Sequence, residues 1–503
     1  MRRSNPVPVP SPWGGINTRE GVASLKPNEA RELVNWDPVG QSCRPRKGCL
    51  PSSTGGPTGH AVETLAAYQG LSGAALIGVS NGSVYDFSGS TASLLSAAGY
   101  VQSRFSTECY NNYLIAVNGV DTPWNYNGSV VGATGFSGSG LTLSHLQTVK
   151  KVRNRLWFTE SNSADVWYGG LGSITGTLTK FQLSQVVGGG TCVAVAAHSQ
   201  DSGSGPDDYT VFVMSTGEVV MYLGDPSTTF AKVGNFNMPP PVGTDCTTNV
   251  GGELVVLTRM GLVPMSSVVS GGLYSGVGGG NIDFLATGNF GKVGPSIKRD
   301  VDQYSSNEGW MVRTSGGQVI INVPRLDGAL SYQWVLDAVT GSWTQWQGYN
   351  GASFCEYQGS IYFGLWTTGD VWRVSGTDDN GEPIAVKARC AFTTDPNGHQ
   401  IEATAIRFDM TVNGNLSGAF GIDTDYVPRS ITTPYVDIAL STVTTPWGSA
   451  WGSAWSSTNQ YRGQWFSTFG RGRSIGPALE ATVSAESLEW FGTQLLVHPV
   501  GPL

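Results

Sequence analysis

The chain has 503 residues, 40% of them apolar and only 13% charged, with a formal net charge of −8. That balance argues against a protein that holds nucleic acid by neutralising its phosphates. Gly and Pro make up roughly a fifth of the residues, below the level of a disordered chain. With 16 Trp, 18 Tyr and 18 Phe, the composition describes a folded, turn-rich, all-β protein of about three domains. Seven scattered cysteines, an odd number, offer no disulfide framework and suit synthesis in a reducing compartment. Met1-Arg2-Arg3 is not followed by an apolar stretch, so no signal peptide is expected, and no run reaches the length of a membrane span.

Residues 1–57 differ from the rest. Pro6, Pro8, Pro10 and Pro12 force an extended lead-in. A short helix is expected from Pro27, with Ala30, Leu33 and Val34 on one face. It ends near Asn35-Trp36-Asp37-Pro38, and a basic knot of Arg44, Arg46 and Lys47 follows. Such an extended N-terminal arm is too short for a core of its own and must pack on its own body or on a neighbour.

From about 58 to 376 a hairpin recurs. Its clearest copy is Tyr357–Gly376, two short aromatic and β-branched strands, Ser360–Leu365 and Asp370–Val374, around Thr367-Thr368-Gly369. A ten-residue offset links Tyr362 to Trp372, Trp157 to Trp167, Leu114 to Trp124 and Ile77 to Phe87. Turns at Asn81-Gly82, Asn118-Gly119, Ser161–Ser163, Thr216-Gly217, Gly261, Gly316-Gly317 and Thr368-Gly369 recur at about the length of one propeller blade. The pattern predicts a β-propeller of six or seven blades, with a kelch-like strand–turn–strand at Leu336–Trp346. Closure would also remove exposed strand edges. A pair of stacked β-sandwiches is the alternative.

Asp378–Pro383 is a linker turn where the repeat stops, and residues 377–503 are expected to form a C-terminal β-sandwich. Ile406, Phe408 and Met410 alternate with Arg407 and Asp409, the mark of a half-buried strand. Ala478–Val483 and Ser487–Val497 are further strands. Trp447, Trp451 and Trp455 share one side of a Gly- and Ser-rich strand or loop.

The residues of chemistry do not assemble into a motif. His60, His145, His198, His399 and His498 are mutually distant, and Cys43 and Cys49 lack a second ligand pair at zinc-finger spacing. Gly288–Val293 has Ala286 where a P-loop needs glycine and Val293 where it needs a hydroxyl. Gly470–Gly476 misses the dinucleotide fingerprint by one residue and reads as a turn or bulge. A glycosidase needs two carboxylates at a defined separation, yet Asp165, Asp337 and Asp370 occupy turn positions that favour Asp. Asp378-Asp379 and Asp423-Thr424-Asp425 lack the rest of a calcium loop, and the glycosylation sequons at Asn81 and Asn127 are explained by hairpin turns. No enzyme activity, metal or cofactor is expected. Lys151, Arg153 and Arg155 alternate with Val152, Asn154 and Leu156, placing three cations on one strand face. They guard an edge strand or touch an acidic partner or passing DNA.

Pro12-Trp13-Gly14-Gly15-Ile16-Asn17-Thr18-Arg19-Glu20, Ala30–Pro38 and Arg44-Pro45-Arg46-Lys47-Gly48 together resemble the opening of the tail nozzle or hub proteins of short-tailed bacteriophages, also called tail tubular protein B. The Tyr332–Trp346 segment, the Tyr357–Gly376 hairpin and the tail from Trp447 to Trp465 are similar as well; residues 170–330 contribute only strand pattern. The resemblance implies a structural virion protein, assembled in the host cytoplasm as a six-fold ring below the portal and adaptor. Its expected partners are copies of itself, adaptor proteins, tail fibre or needle proteins, and double-stranded DNA passing through without sequence-specific contact. On this reading 1–57 is a clasp, with Trp13, Asn17, Arg19, Trp36, Arg44 and Arg46 as candidate contacts to a neighbouring subunit or the adaptor. A carbohydrate-binding or depolymerising propeller used in host adhesion is the alternative function.

Overall fold

The computed structural model describes residues 5–71, 73–201, 206–271, 287–325, 330–395, 398–429, 436–438, 460–462 and 465–500. It is nearly all β, built from many small sheets in a propeller-like manner. Two compact units emerge: Pro51–Gln333 with Tyr349–Val374, and Met1–Leu50 with Trp334–Gly348 and Ser375–Leu503.

The first unit is a series of antiparallel meanders in chain order. Four consecutive four-stranded sheets begin with strands Val62–Gly70, Ser106–Tyr110, Leu146–Val152 and Cys192–Asp201. A three-stranded sheet over 247–264 follows, then the hairpin of Met311–Ser315 and Gln318–Val323. The last sheet takes Gly351–Tyr357, Ser360–Leu365 and Val371–Val374, and its fourth strand is Cys49–Ser53 from far earlier in the chain. Each leading strand packs beside the next, from Val62–Gly70 through to Met311–Ser315 and Gly351–Tyr357, which in turn lies beside Val62–Gly70.

Turn chemistry explains the spacing. Asn81 and Gly82 both have positive φ (49° and 68°), the conformation that a two-residue hairpin turn requires and that Asn-Gly tolerates best. Six of the seven expected turns join the second strand of a sheet to its third; Gly316-Gly317 instead joins the first two strands of its hairpin. Apolar side chains from neighbouring sheets then merge into shared cores. Val152, Trp157 and Val166 of the third sheet pack with Val195, Phe212 and Val220 of the fourth. Tyrosines at the ends of three leading strands add a polar tie to the following sheet. Tyr357 Oη donates to the Ala74 carbonyl (3.2 Å), Tyr68 Oη to that of Asn112 (3.1 Å) and Tyr110 Oη to that of Asn154 (2.8 Å).

In the second unit, strands Gln400–Thr424 and Ser474–Val500 pair along almost their whole length. Bulges switch which parity faces inward. Ala403 and then Ile406, Phe408 and Met410 are buried on either side of the shift between Ala403 and Ala405. Likewise Leu488 and Trp490 give way to Thr493 and Leu495 across Phe491. The far edge of Ser474–Val500 takes Asn5–Pro10, Ile384–Cys390 and Thr393–Thr394; that of Gln400–Thr424 takes Phe466–Gly472. Strands expected separately at Ala478–Val483 and Ser487–Val497 are thus one strand.

One expectation for the early chain is corrected. No helix begins at Pro27: Ala30–Val34 is a strand, antiparallel to Ile384–Cys390, with a single parallel bridge from Val34 to Gln345. A helix this short has little stability of its own, and pairing on both sides overrides local propensity. Of the two packings open to the early chain, on its own body or on a neighbour, its strands take the first and are integral to the sheet of this unit. Their removal is therefore expected to unfold the unit and not merely to impair assembly. The kelch-like hairpin is Tyr332–Asp337 and Trp343–Gln347, and Trp334–Gly348 groups with the second unit. Trp447, Trp451 and Trp455 lie outside the described residues.

Candidate functional site

The first unit holds a partly open cavity of about 710 Å³, lined by the leading strands, the loops that precede them and turns between second and third strands. Glu63, Arg104, Asp245, Arg259, Glu308 and Arg313 are its charged lining, set among Ser, Thr, Asn and Gln side chains with Trp310 and Phe354. Arg104 Nη1 donates to the carbonyls of Glu63 and Ala352, both at 3.2 Å. Burial pushes the Glu63 carboxyl up and the Arg104 guanidinium down from their ordinary pKa values. Arg313 forms a forked pair with Asp245. Burial opposes the charge of Arg313, but the Asp245 carboxylate beside it holds its pKa above the usual value. These residues come from segments far apart in the chain, so no local motif announced them.

The acidic residues weighed for catalysis or calcium have structural partners. Asp165 Oδ1 accepts from Ser184 N–H, Asp337 Oδ1 from Val339 and Thr340 N–H, and Asp370 Oδ1 from Gly55 N–H. Asp423 takes both Arg389 (2.7 Å) and Arg31 (3.1 Å), while Asp425 accepts from Arg473 N–H. Among the described residues no three His, Cys, Asp or Glu side chains converge to hold a metal. Gly288–Gly291 is one 3₁₀ turn ahead of the helix Gly294–Tyr304. That helix escaped the sequence reading, although Ile297, Val301 and Tyr304 are spaced to bury one face.

The candidate contacts of the early chain are drawn into the second unit. Asn17 is buried, its Nδ2 donating to Glu29 Oε2 at 3.0 Å, and Trp36 is fully buried against Trp490. Arg46 is 2% exposed. Its Nη1 and Nη2 fork onto Asp379 (2.9 and 2.6 Å), its Nε donates to Asn35 Oδ1 (2.9 Å), and the Gln347 and Lys47 carbonyls take further bonds. Trp13 is half-buried, and Arg19 pairs with Glu20. Arg44 is the exposed member, 3.1 Å from Glu489. Within the chain, then, Asn17, Trp36 and Arg46 serve packing.

Asp37 lies in the same region, with Trp346 Nε1 donating to its Oδ1 at 2.7 Å. Burial raises its pKa to about 6, against the lowering effect of that hydrogen bond. A carboxyl whose folded pKa exceeds its unfolded value favours folding when protonated and loses that contribution as pH rises through about 6. Asp37→Asn keeps an acceptor for Trp346 and removes the charge. It is expected to gain about 1–2 kcal/mol over the native protein at pH 8 and nothing at pH 4, read from urea unfolding at both values.

Lys151, Arg153 and Arg155 do not share one strand face. Arg153 and Asn154 have positive φ (48° and 58°) and form a hairpin turn, so Lys151 is the penultimate residue of one strand, Leu146–Val152, and Arg155 begins the next. Arg155 turns inward, its Nε and Nη2 each 2.9 Å from Asp225, with Nη2 also reaching Ser227 Oγ (2.7 Å) and Nη1 the Gly169 carbonyl (2.9 Å). Lys151 and Arg153 are exposed. No helix among the described residues is long and apolar enough to cross a membrane.

No protein-family model and no curated protein matches the chain. Solved structures similar to it include BBS1N in complex with ARL6DN (12% identity, 44% of this chain and 74% of that one, TM-score 0.31). PorZ of the Porphyromonas gingivalis type-IX secretion system matches at 12% identity over 68% of this chain and 44% of its own, with a TM-score of 0.36. Chaetomium thermophilum Raptor matches at 12% over 71% and 30%, with a TM-score of 0.38. The chain thus spans less than half of the PorZ and Raptor chains. At these scores the likeness carries no functional argument.

Proposed function

We propose that the chain is a structural subunit of a short-tailed phage tail nozzle or hub, assembling into a six-fold ring that conducts DNA during ejection. In this reading the first unit is a closed seven-bladed propeller, with Cys49–Ser53 completing the last blade, and the second is a sandwich-like platform. The observation that carries it is where the resemblance motifs fall. Asn17, Trp36 and Arg46, quoted for the likeness to nozzle proteins, are interior anchors of one sheet-bearing unit, as expected of residues that specify a scaffold. An architectural role also accords with carboxylates engaged by Arg46, Arg155, Arg313 and Arg389. In this reading the DNA path runs between subunits, in keeping with a 710 Å³ cavity that has only the size of a small-molecule pocket.

Electron microscopy of the purified protein, alone and with the cognate adaptor, and of whole virions tests the assembly. A six-fold tube is expected. Trimeric fibres on virions, or a monomer that never joins the adaptor, would overturn the proposal in favour of an adhesion protein.

A further inference from the structure

At one end of the first three sheets the turns are tied into a row. Leu71 N–H donates to Asn112 Oδ1 (3.2 Å), Asn111 Nδ2 to the Gly172 carbonyl (2.6 Å), and Gly172 N–H to the Asn154 carbonyl (3.0 Å). The tyrosine ties from Tyr68 and Tyr110 brace the same turns from below. This braced row projects two leucines, Leu71 at 94% exposure and Leu171 at 62%. Arg153 sits in the turn whose Asn154 carbonyl holds Gly172, next to Leu171, and the Lys151 ammonium lies 5.9 Å from the centre of the Tyr110 ring. Their neighbours are neutralised: Lys150 by Glu108 at 3.6 Å, Arg155 by Asp225. Among the described residues neither Lys151 nor Arg153 stands in an ion pair.

We propose that this row of turns is a docking surface for an anionic lipid membrane. Protruding leucines flanked by cations match a lipid interface on both counts. The acyl boundary accepts apolar tips of any shape, and acidic headgroups complement the two exposed cations, which no carboxylate among the described residues pairs within salt-bridge distance. A nucleic acid would use the cations but gain nothing from leucines, and leucine is an uncommon anchor in protein interfaces. Because the whole chain carries −8, an anionic surface repels most approaches, and these local cations select the orientation in which the leucines lead. The inference does not depend on ring assembly.

Co-sedimentation of the full chain with phosphatidylcholine vesicles containing about a third phosphatidylglycerol, at about 0.05 M salt, tests it. The protein is expected to pellet with these vesicles, to remain in solution with pure phosphatidylcholine, and to be released at about 0.5 M salt. Leu71→Ser with Leu171→Ser, and separately Lys151→Gln with Arg153→Asn, should each lower the bound fraction about tenfold. Asn suits the left-handed backbone at Arg153, and unchanged near-ultraviolet circular dichroism verifies that both variants fold. Failure to pellet with anionic vesicles, or equal pelleting with neutral ones, overturns the proposal. So does full binding by the leucine variant, the outcome expected if the ligand were an anionic polymer such as duplex DNA.

Discussion

Arg46→Ala is expected to destabilise the unit containing residues 1–50 by about 3–5 kcal/mol, the range for breaking a buried ion pair from one side. The guanidinium holds Asn35, Gln347, Lys47 and Asp379 together, so it joins four points that the chain reaches over more than three hundred residues. Truncation strands the Asp379 carboxylate and leaves the Gln347 carbonyl without its two guanidinium donors. Arg46→Lys keeps the charge but not the planar fork, and is expected to recover less than half of the loss. Thermal unfolding followed by circular dichroism should show a midpoint lower by roughly 10 °C for the alanine variant. A shift within about 2 °C of the native protein would mean that the cluster is not the anchor described here.

The Arg155–Asp225 pair gives the second large effect and a pH signature. Arg155, from the second strand of the third sheet, is held by the Asp225–Ser227 turn of the fourth, so the pair fastens two neighbouring sheets. Arg155→Ala is expected to cost about 2–3 kcal/mol through its lost charge-assisted bonds. The hydrogen bonds from Arg155, helped by Ser227, hold the Asp225 carboxyl down at about 2, below its ordinary 3.8. A depressed carboxylate pKa stabilises the fold above the unfolded value and ceases to do so as pH falls through the folded one. The difference between the native protein and Asp225→Asn should therefore be constant from about pH 5 to 8, at up to about 2 kcal/mol, and vanish toward pH 2. Urea unfolding across that range checks both size and sign. A difference that persists undiminished at the acid end would rule out the ion pair as its source.

Assembly and the stability of each unit are separable in these tests. The arginine variants report on folding of one unit each, whereas the symmetry seen by electron microscopy reports on association. A protein that behaves as expected at Arg46 and Arg155 yet forms no ring would keep the fold and lose the nozzle assignment.

Much of the architecture was readable before any coordinates, because hairpins are local. Asn81-Gly82 demands positive φ over two adjacent residues whatever surrounds it, and the ten-residue aromatic offset follows from strand and turn lengths alone. Alternation at Ile406, Phe408 and Met410 likewise declared a strand with one buried face. The early chain misled for the opposite reason: Pro27 followed by Ala30, Leu33 and Val34 satisfies a helix locally, but the choice belonged to Ile384–Cys390, some 350 residues away, which supplies the partner backbone. Arg153 and Arg155 look alike in an alternating pattern, and only the turn at Arg153-Asn154 sends one into solvent and the other onto Asp225. The charges around the cavity, the Arg46 cluster and the row of braced turns were equally invisible, since each joins side chains from distant segments. Local backbone preference and hydrophobic period are properties of consecutive residues and can be read in order. Which arginine is buried, and which leucine is left exposed, depends on long-range contacts that exist only once the sheets have packed.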